Sequence, residues 1–264
     1  MNHLEISFWH VAAAALLILI NAGISLALKL NLEKTLLIAS IRTVVQLLLV
    51  GLVLEWVFRF DRWYVVVMLG CVMTLIAGIT AATRGKRRYS GIWLNCIVSI
   101  WASAWLVTAF ALFIVFEGTE KWYQPQYAIP LLGMVLGNIL NGITLGLNTF
   151  TEALVTRRDY VESMLSAGAT RWEAAREPIR DAMTTGMTPI INAMMIVGLV
   201  SLPGMMTGQL VSGMEPLHAV KYQIVIMFLI ASATALGTVG VVVLTFLKLF
   251  NKDHQFLSGD IVSK

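Results

Sequence analysis

The sequence is poor in charge. Asp, Glu, Lys and Arg make up only 13% of its 264 residues, whereas 58% of the residues are hydrophobic. Because an ordinary soluble domain carries about 25% charged residues, this composition excludes a typical water-soluble enzyme or binding domain. The formal net charge of +4 is small, and the basic residues lie mainly at the ends of apolar runs. This placement suits lipid headgroups and argues against a nucleic-acid partner.

Cysteines and nucleotide-binding motifs are also scarce. The two cysteines, Cys71 and Cys96, both lie inside apolar runs, so a disulfide framework is not expected. No G-x-x-x-x-G-K-[ST] loop occurs in the sequence, so we expect the chain itself to bind neither ATP nor another cofactor. No positively charged segment precedes the first apolar run, which is therefore predicted to remain as a membrane helix and not to be cleaved as a signal peptide.

Long apolar runs dominate the rest of the sequence. A bilayer core needs about 20 apolar residues of helix to cross it, with every backbone polar group bonded internally. The runs therefore predict an all-α, polytopic membrane protein, folded as a single transmembrane domain over residues 1–264. The seven predicted spans are 8–28, 36–57, 63–83, 91–116, 127–149, 183–202 and 219–247.

Lysines and arginines near the span ends predict the orientation. The densest basic cluster is the 84–88 turn, and further basic residues lie in the 150–182 segment, after the last span and in the first turn. Because basic loops stay in the cytoplasm, we expect these four segments on the cytoplasmic side, with the N-terminus outside and the C-terminus inside. The opposite turns, such as 117–121, carry fewer basic residues.

The 150–182 segment, which we call the elbow, is too long for a simple turn. Its apolar residues follow helical spacing. Gly168 suits the left-handed end of one helix, and Thr170 with Glu173 forms a capping box that starts the next. We therefore predict a helix, a sharp break and a second helix. The alternative is an amphipathic hairpin that lies on the membrane surface without a protein partner.

Two patterns resemble those of known transport proteins. Glu162, followed six residues later by Gly168, resembles the EAA loop of ABC-transporter permeases, although Ser163-Met164 replaces the Ala-Ala pair of that loop. The segment 197–208, which reads V-G-L-V-S-L-P-G-M-M-T-G, and the A-V-K-Y-Q that follows at 219–223 are similar to the signature of FetB-type permeases and of the plant aluminium-tolerance permeases.

This resemblance covers nearly the whole chain and implies a function. It implies the permease subunit of an ABC transporter in the bacterial inner membrane, which forms a homodimer and exports iron or another metal ion. In such transporters a separate cytoplasmic ATPase binds ATP, and the EAA loop of the permease seats in a groove of that ATPase. The residues implied in this coupling are Glu162, Leu165, Gly168, Ala169, Thr170 and Trp172.

Polar residues inside predicted spans are costly and mark candidate functional sites. Arg42 and Gln46 lie one helical turn apart in span two, so they share a face. Asn138 and Asn141 lie in span five beside several glycines. We assign both pairs to a candidate substrate path. The alternatives are that Arg42 only extends to the lipid headgroups and that the asparagines serve helix packing.

A candidate metal site follows span six. Met205 and Met206 precede Glu215 and His218 in the sequence. Thioethers suit soft metal ions, whereas carboxylate and imidazole groups suit iron. The alternatives are that the methionines fill packing space and that Glu215 and His218 are solvated loop residues.

Two other functions fit the same spans. The first is a secondary transporter or channel that needs no ATPase, although no internal repeat typical of secondary transporters is evident. The second is a non-transporting membrane scaffold or sensor that uses the elbow to bind a signalling partner. In none of the three functions is the chain itself expected to be an enzyme.

Overall fold

The computed structural model describes residues 7–60, 62–115 and 123–263. Contacts between Cα atoms divide the chain into two compact units, of which unit 1 ends at Phe60. The described structure is almost entirely helical, as predicted, and six of its helices are long and apolar enough to cross a membrane. The prediction of one transmembrane domain over residues 1–264 is not tested by this division and stays a prediction.

Unit 1 is a helical hairpin. Helices α1 (Phe8–Ala27) and α2 (Glu33–Phe60) pack against each other across a short turn. Ser25 organises the turn, because its hydroxyl accepts a hydrogen bond from the Leu32 amide at 3.0 Å and donates one to the Glu33 carboxylate at 3.1 Å. Most of the apolar side chains of both helices are exposed within the chain. Helices that are apolar on all sides suit a lipid environment.

Unit 2 is a helical bundle centred on α5 (Pro125–Thr156). Its other helices are α3 (Trp63–Arg84), α4 (Ile92–Phe110, continued by a π-helical stretch Ala111–Val115), α6 (Arg158–Ser166), α7 (Arg171–Ile196), α8 (Gly204–Val211) and α9 (Pro216–Leu249). Helix α5 contacts α3, α4, α7 and α9. Its buried side chains, among them Ile139 and Ile143, lie in the hydrophobic core of the bundle.

Glycines let the three central helices approach closely. A Cβ added at Gly142 of α5 would lie 2.5 Å from Thr234 Cγ2 of α9 and 3.1 Å from the carbonyl oxygen of Gly186 in α7. A Cβ added at Gly186 would lie 2.6 Å from Thr238 Cγ2 of α9. Small residues at helix contacts are typical of membrane bundles. The crossing therefore has no room for a side chain at either glycine.

The same contacts give the directions of the helices. Gly142 lies against Gly186 of α7, whereas Gly146, one turn later, lies against Ala182, so α5 and α7 are antiparallel. Gly146 also lies against Val242 of α9, farther along that helix than the contacts of Gly142, so α5 and α9 are parallel. Helix α7 therefore starts at the end of unit 2 where α5 and α9 finish, and it runs back toward the opposite end.

The prediction of an apolar span at 183–202 is wrong in its boundaries. Helix α7 is continuous from Arg171 to Ile196, so residues 183–196 of the apolar stretch form its second half and not a separate helix, and residues 197–202 lie beyond its end. The first half is charged, and α7 is not among the six long apolar helices. The helix stops at Ile196 because a turn follows, in which Gly198 has φ +83° and its amide donates to the Ser201 carbonyl at 2.9 Å. Hydropathy alone did not reveal this stop.

Three of the four basic segments lie together at one end of unit 2, which we call the basic end. The Arg87 guanidinium of the α3–α4 turn lies 2.9 Å from the carboxylate of Glu152 in the elbow. Arg87–Arg88 (β1) also pairs antiparallel with Val262–Ser263 (β2), after the last helix. The fourth segment belongs to unit 1, and the 117–121 turn lies outside the described residues. The side of the membrane that the basic end faces stays a prediction.

Candidate functional site

The elbow breaks at Gly168, as predicted. Helix α6 ends in a Schellman motif, in which the Ala169 amide donates to the Met164 carbonyl at 3.0 Å and the Gly168 amide donates to the Leu165 carbonyl at 3.1 Å. Gly168 has φ +94°, a conformation that residues with a side chain rarely adopt. A Cβ at this position would meet nothing within 4 Å. The backbone conformation, and not a lack of space, therefore favours glycine here.

The predicted capping box starts α7. The Thr170 hydroxyl accepts a hydrogen bond from the Glu173 amide at 3.3 Å, and the Glu173 carboxylate accepts one from the Thr170 amide at 2.7 Å. The Thr170 hydroxyl also donates to this carboxylate at 2.7 Å. The hydrogen bonds from the hydroxyl and the amide of Thr170 hold the pKa of the Glu173 carboxyl below its usual value. Two local motifs thus fix the break from both sides.

An open groove of about 620 Å³ lies beside the break. Of the predicted coupling residues, Gly168 and Ala169 line it. The longer side chains that complete the groove were not predicted as coupling residues, and they are Tyr160, Met164, Glu173, Arg176 and Glu177. Helical spacing could have identified two of them, because Tyr160 and Met164 lie one turn apart on α6.

Two of the remaining predicted coupling residues, Leu165 and Trp172, attach the elbow to the bundle. Leu165 is partly buried against the hydrophobic core. The Trp172 ring packs on the ring of Phe246 in α9, with 4.1 Å between ring centroids. Glu162 forms an ion pair with Arg158, one turn earlier in α6, at 2.6 Å. The contacts of Leu165 and Trp172 hold the elbow in position, whereas the Glu162–Arg158 pair lies within α6. Of the groove side chains, Tyr160 and Arg176 are exposed.

Arg157, at the start of α6, joins the two helical parts of the elbow, which are α6 and the first half of α7. Its guanidinium lies 3.3 Å from the Glu177 carboxylate and 3.2 Å from the Asp181 carboxylate, both on α7. All three side chains are 44–65% exposed, so each pair contributes only about 0–1 kcal/mol. The pairs therefore orient α6 relative to the first half of α7 and add little to the free energy of folding.

The asparagines of α5 do not converge on one site. Asn138 donates to the Met134 carbonyl of its own helix at 2.9 Å, and Asn141 is exposed. Asn148, farther along the helix, accepts a hydrogen bond from the Lys86 amide at 2.9 Å, which attaches the α3–α4 turn to α5. Their assignment to a substrate path stays a prediction.

The other two candidate path residues lie in unit 1. Arg42 and Gln46 are both exposed in the middle part of α2. Their spacing places them on one face of that helix, as predicted. Their role in a substrate path also stays a prediction.

The candidate metal residues lie in different surroundings. Met206 lines an apolar cavity of about 350 Å³ with Met194 and Met227, whereas Met205 packs partly buried against the core. His218 Nε2 lies 3.5 Å from Glu215 Oε2, and both side chains are about two-thirds exposed. Within the part of the chain that the structure describes, no three His, Cys, Asp or Glu side chains are grouped as metal ligands. The pair could therefore supply two ligands to an ion in water.

Comparison with known proteins extends these observations. Residues 8–250 match the family described as "Uncharacterised protein family (UPF0014)". The chain is 38% identical over 232 residues to UPF0014 membrane protein slr1647 of Synechocystis, covering 86% of this chain and 88% of that protein. It is 31% identical over 267 residues to the "Probable iron export permease protein FetB" of Escherichia coli, covering both chains completely. No solved structure matches the chain.

A plant relative is similar over most of the chain. The chain is 28% identical over 244 residues to the protein ALUMINUM SENSITIVE 3 of Arabidopsis thaliana, covering 92% of this chain and 88% of that protein. The resemblance to FetB-type permeases and to plant permeases that the 197–208 segment predicted is therefore confirmed. Since the family match extends from the first helix to the end of the last, the chain belongs to the UPF0014 family of membrane proteins.

Proposed function

We propose that this chain is the membrane-spanning permease subunit of an ABC transporter, driven by a separate cytoplasmic ATPase. The observation that carries the proposal is the elbow, an exposed helix break at the basic end of unit 2 that a Schellman motif and a capping box hold in one conformation. The E. coli relative that aligns over its full length is named a permease. Because this chain has no loop for ATP phosphates, a partner subunit would bind the nucleotide.

The groove beside Gly168 suits a protein partner. It combines an aromatic side chain, Tyr160, which is 48% exposed, with the charged side chains of Glu173, Arg176 and Glu177. Tyr and Arg are among the residues enriched at the energetic centres of protein interfaces. The groove lies on α6 and α7, and α7 continues directly to the Gly186 crossing in the core. A partner that moves the elbow would therefore move a helix of the bundle.

The proposed assembly is a homodimer in the bacterial inner membrane, with the basic end toward the cytoplasm. Asn141 supports it, because this amide is exposed near the middle of α5, a helix that is otherwise apolar enough to cross a membrane. A polar side chain that faces lipid is costly, and amides in membranes are usually covered by protein or line a water-filled path. A second copy of the chain that covers Asn141 would meet this requirement and form the substrate path.

The proposed substrate is a transition-metal ion, with iron as the first candidate and export as the direction. Support comes from the name of the E. coli relative and from the exposed Glu215–His218 pair, whose carboxylate and imidazole groups suit iron. Cells that lack the chain should accumulate iron under iron load, and Glu215→Ala with His218→Ala should reproduce part of that accumulation. Unchanged iron content in the deletion strain would rule out iron as substrate.

The coupling experiment compares two variants of Gly168 in a complex with the proposed partner ATPase. A β-branched residue at φ +94° is strained by about 1–3 kcal/mol, so Gly168→Val should release the break and reduce stimulated ATP hydrolysis. Gly168→Asn should retain most of the stimulation, because Asn tolerates the left-handed region. A Cβ meets nothing at this position, so the strain of Gly168→Val is confined to the backbone of the break, and the membrane level of each variant is measured as the control for folding.

Ion flux through the purified protein, measured with and without the ATPase, separates the alternative functions. A secondary transporter or channel would move ions without the ATPase, and a scaffold would bind its partner without moving ions. Normal stimulation of ATP hydrolysis by Gly168→Val would show that the elbow does not couple the two subunits.

A further inference from the structure

The segment that follows α9 folds back onto the end of that helix. We call residues 250–263 the C-terminal strap. The Leu257 amide donates to the Leu249 carbonyl at 2.9 Å, and the rings of Phe250 and Phe256 stack with 5.1 Å between centroids. Between them, the Asn251 amide donates to the Gln255 carbonyl at 3.1 Å. The strap is therefore an ordered turn fixed to α9.

The strap also caps the start of α7. The first amides of a helix have no partner within it, and the amide of Arg171, the first residue of α7, donates to Nδ1 of His254 at 3.0 Å. His254 presents its ring in a left-handed backbone conformation, with φ +57°. An imidazole nitrogen 83 positions away in the sequence thus satisfies an amide of the elbow.

The start of α7 also binds the strap just beyond the end of α9. The Arg171 guanidinium donates to the carbonyl of Asn251, two residues past Leu249, at 3.0 Å. The same guanidinium lies 5.8 Å from the centroid of the Phe246 ring in α9, within the range of a cation–π contact. Trp172 packs on that ring as well. The first two residues of α7 therefore contact both the strap and α9.

The far end of the strap reaches the α3–α4 turn. Val262–Ser263 pairs with Arg87–Arg88 in a two-stranded antiparallel sheet. One segment thus contacts the elbow, the end of α9 and the α3–α4 turn at the basic end of unit 2.

We propose that the C-terminal strap makes the start of α7 and the end of α9 move as one body, with His254 and Arg171 as its positioning residues. Movement imposed on the elbow then passes to α9 directly, and not only through α7. Helix α9 packs against both α5 and α7, so this second route acts on the same bundle. The inference rests on the proposed function, because it assumes a partner that moves the elbow.

The experiment compares three strap variants in the complete permease–ATPase complex in proteoliposomes. His254→Leu removes the acceptor for the Arg171 amide, whereas His254→Asn retains a side-chain acceptor and tolerates the left-handed backbone. Lys252→Ala is the matched control, because Lys252 is an exposed residue of the same strap. We expect His254→Leu to lower the metal transported per ATP hydrolysed at least fivefold, the lower end of typical coupling factors. His254→Asn should retain most of the wild-type ratio of metal transported to ATP hydrolysed, and Lys252→Ala should have the wild-type ratio.

Hydrogen exchange in the purified permease gives a readout that does not depend on the ATPase. The Arg171 amide should exchange faster in His254→Leu than in either His254→Asn or the wild type. Arg171→Gln, which removes the guanidinium from the end of α9, provides a second test of transport should His254→Leu not reach the membrane.

The outcomes separate the two proposals. Wild-type transport ratios in both His254→Leu and Arg171→Gln, in a complex whose wild type is active, overturn the role of the strap and leave the proposed function standing. A wild-type chain that stimulates no ATPase overturns the proposed function and the transmission role with it. Unchanged exchange of the Arg171 amide in His254→Leu contradicts the cap itself.

Discussion

Gly142→Ala tests the helix crossing at the centre of unit 2, and Gly137→Ala on the same helix is its control. The added methyl group at Gly142 would lie 2.5 Å from Thr234 Cγ2, 2.9 Å from Thr238 Oγ1 and 3.1 Å from the Gly186 carbonyl oxygen. Threonine is branched at Cβ and has few rotamers in a helix, so the helices would have to separate. At Gly137 a Cβ would meet nothing within 4 Å.

The difference in stability between Gly142→Ala and Gly137→Ala isolates the cost of packing the added methyl group. Replacing glycine by alanine within a helix stabilises it by about 1 kcal/mol, and this gain applies to both positions. Overpacking costs about 1–3 kcal/mol, and only Gly142→Ala incurs it. We therefore expect Gly137→Ala to be as stable as the wild type or more so, and Gly142→Ala to be less stable than Gly137→Ala by about 1–3 kcal/mol.

Unfolding of the purified chain in detergent micelles, followed by circular dichroism against increasing denaturant, measures this difference. Transport should fall in parallel in Gly142→Ala, since α7 connects the elbow to the crossing. Equal stability of the two variants would refute the close approach of α5, α7 and α9, and with it the bundle geometry.

Three further predictions follow from the basic end. In Lys86→Cys the thiol should resist a membrane-impermeant reagent in intact cells and react after permeabilisation, and labelling of intact cells would reverse the proposed orientation. Trp172→Ala should lower the free energy of unfolding by about 1–3 kcal/mol, because it removes a half-exposed ring that packs on Phe246. The pKa of the Glu173 carboxyl is lower in the folded chain than in the unfolded chain, where it is about 4.3. The cap therefore contributes its full stabilisation above the unfolded pKa, and this stabilisation is lost as the pH falls through the folded pKa. Protection of the Thr170 amide from exchange, relative to its intrinsic exchange rate at each pH, should therefore fall as the pH drops through the lowered pKa of Glu173. Glu173→Gln, which still accepts a hydrogen bond, should remove this pH dependence.

Features encoded by neighbouring residues could be read from the sequence. Apolar runs predicted five of the six long helices closely and the sixth, α5, as a shorter span, because the energy of placing a helix in lipid depends on the residues of that helix. The break at Gly168 and the cap from Thr170 to Glu173 were predictable for a similar reason. Both motifs depend on hydrogen bonds between residues at most five positions apart.

Boundaries set by two competing local signals were harder to predict. The apolar run at 183–202 suggested one span, yet it is divided between the second half of α7 and the turn at Gly198. The conformation of Gly198 ends the helix, and hydropathy does not report backbone conformation.

The sequence alone therefore determined that the long helices are apolar enough for a membrane, the number of these helices to within one, and the position of the elbow. Only the tertiary structure decided which glycines are in contact, since Gly137 and Gly142 look alike in the sequence but only Gly142 meets other helices. It also decided that His254 caps α7, because this hydrogen bond joins residues 83 positions apart. Such pairings depend on how the helices pack, and the energy of packing belongs to the assembled bundle and to no single segment.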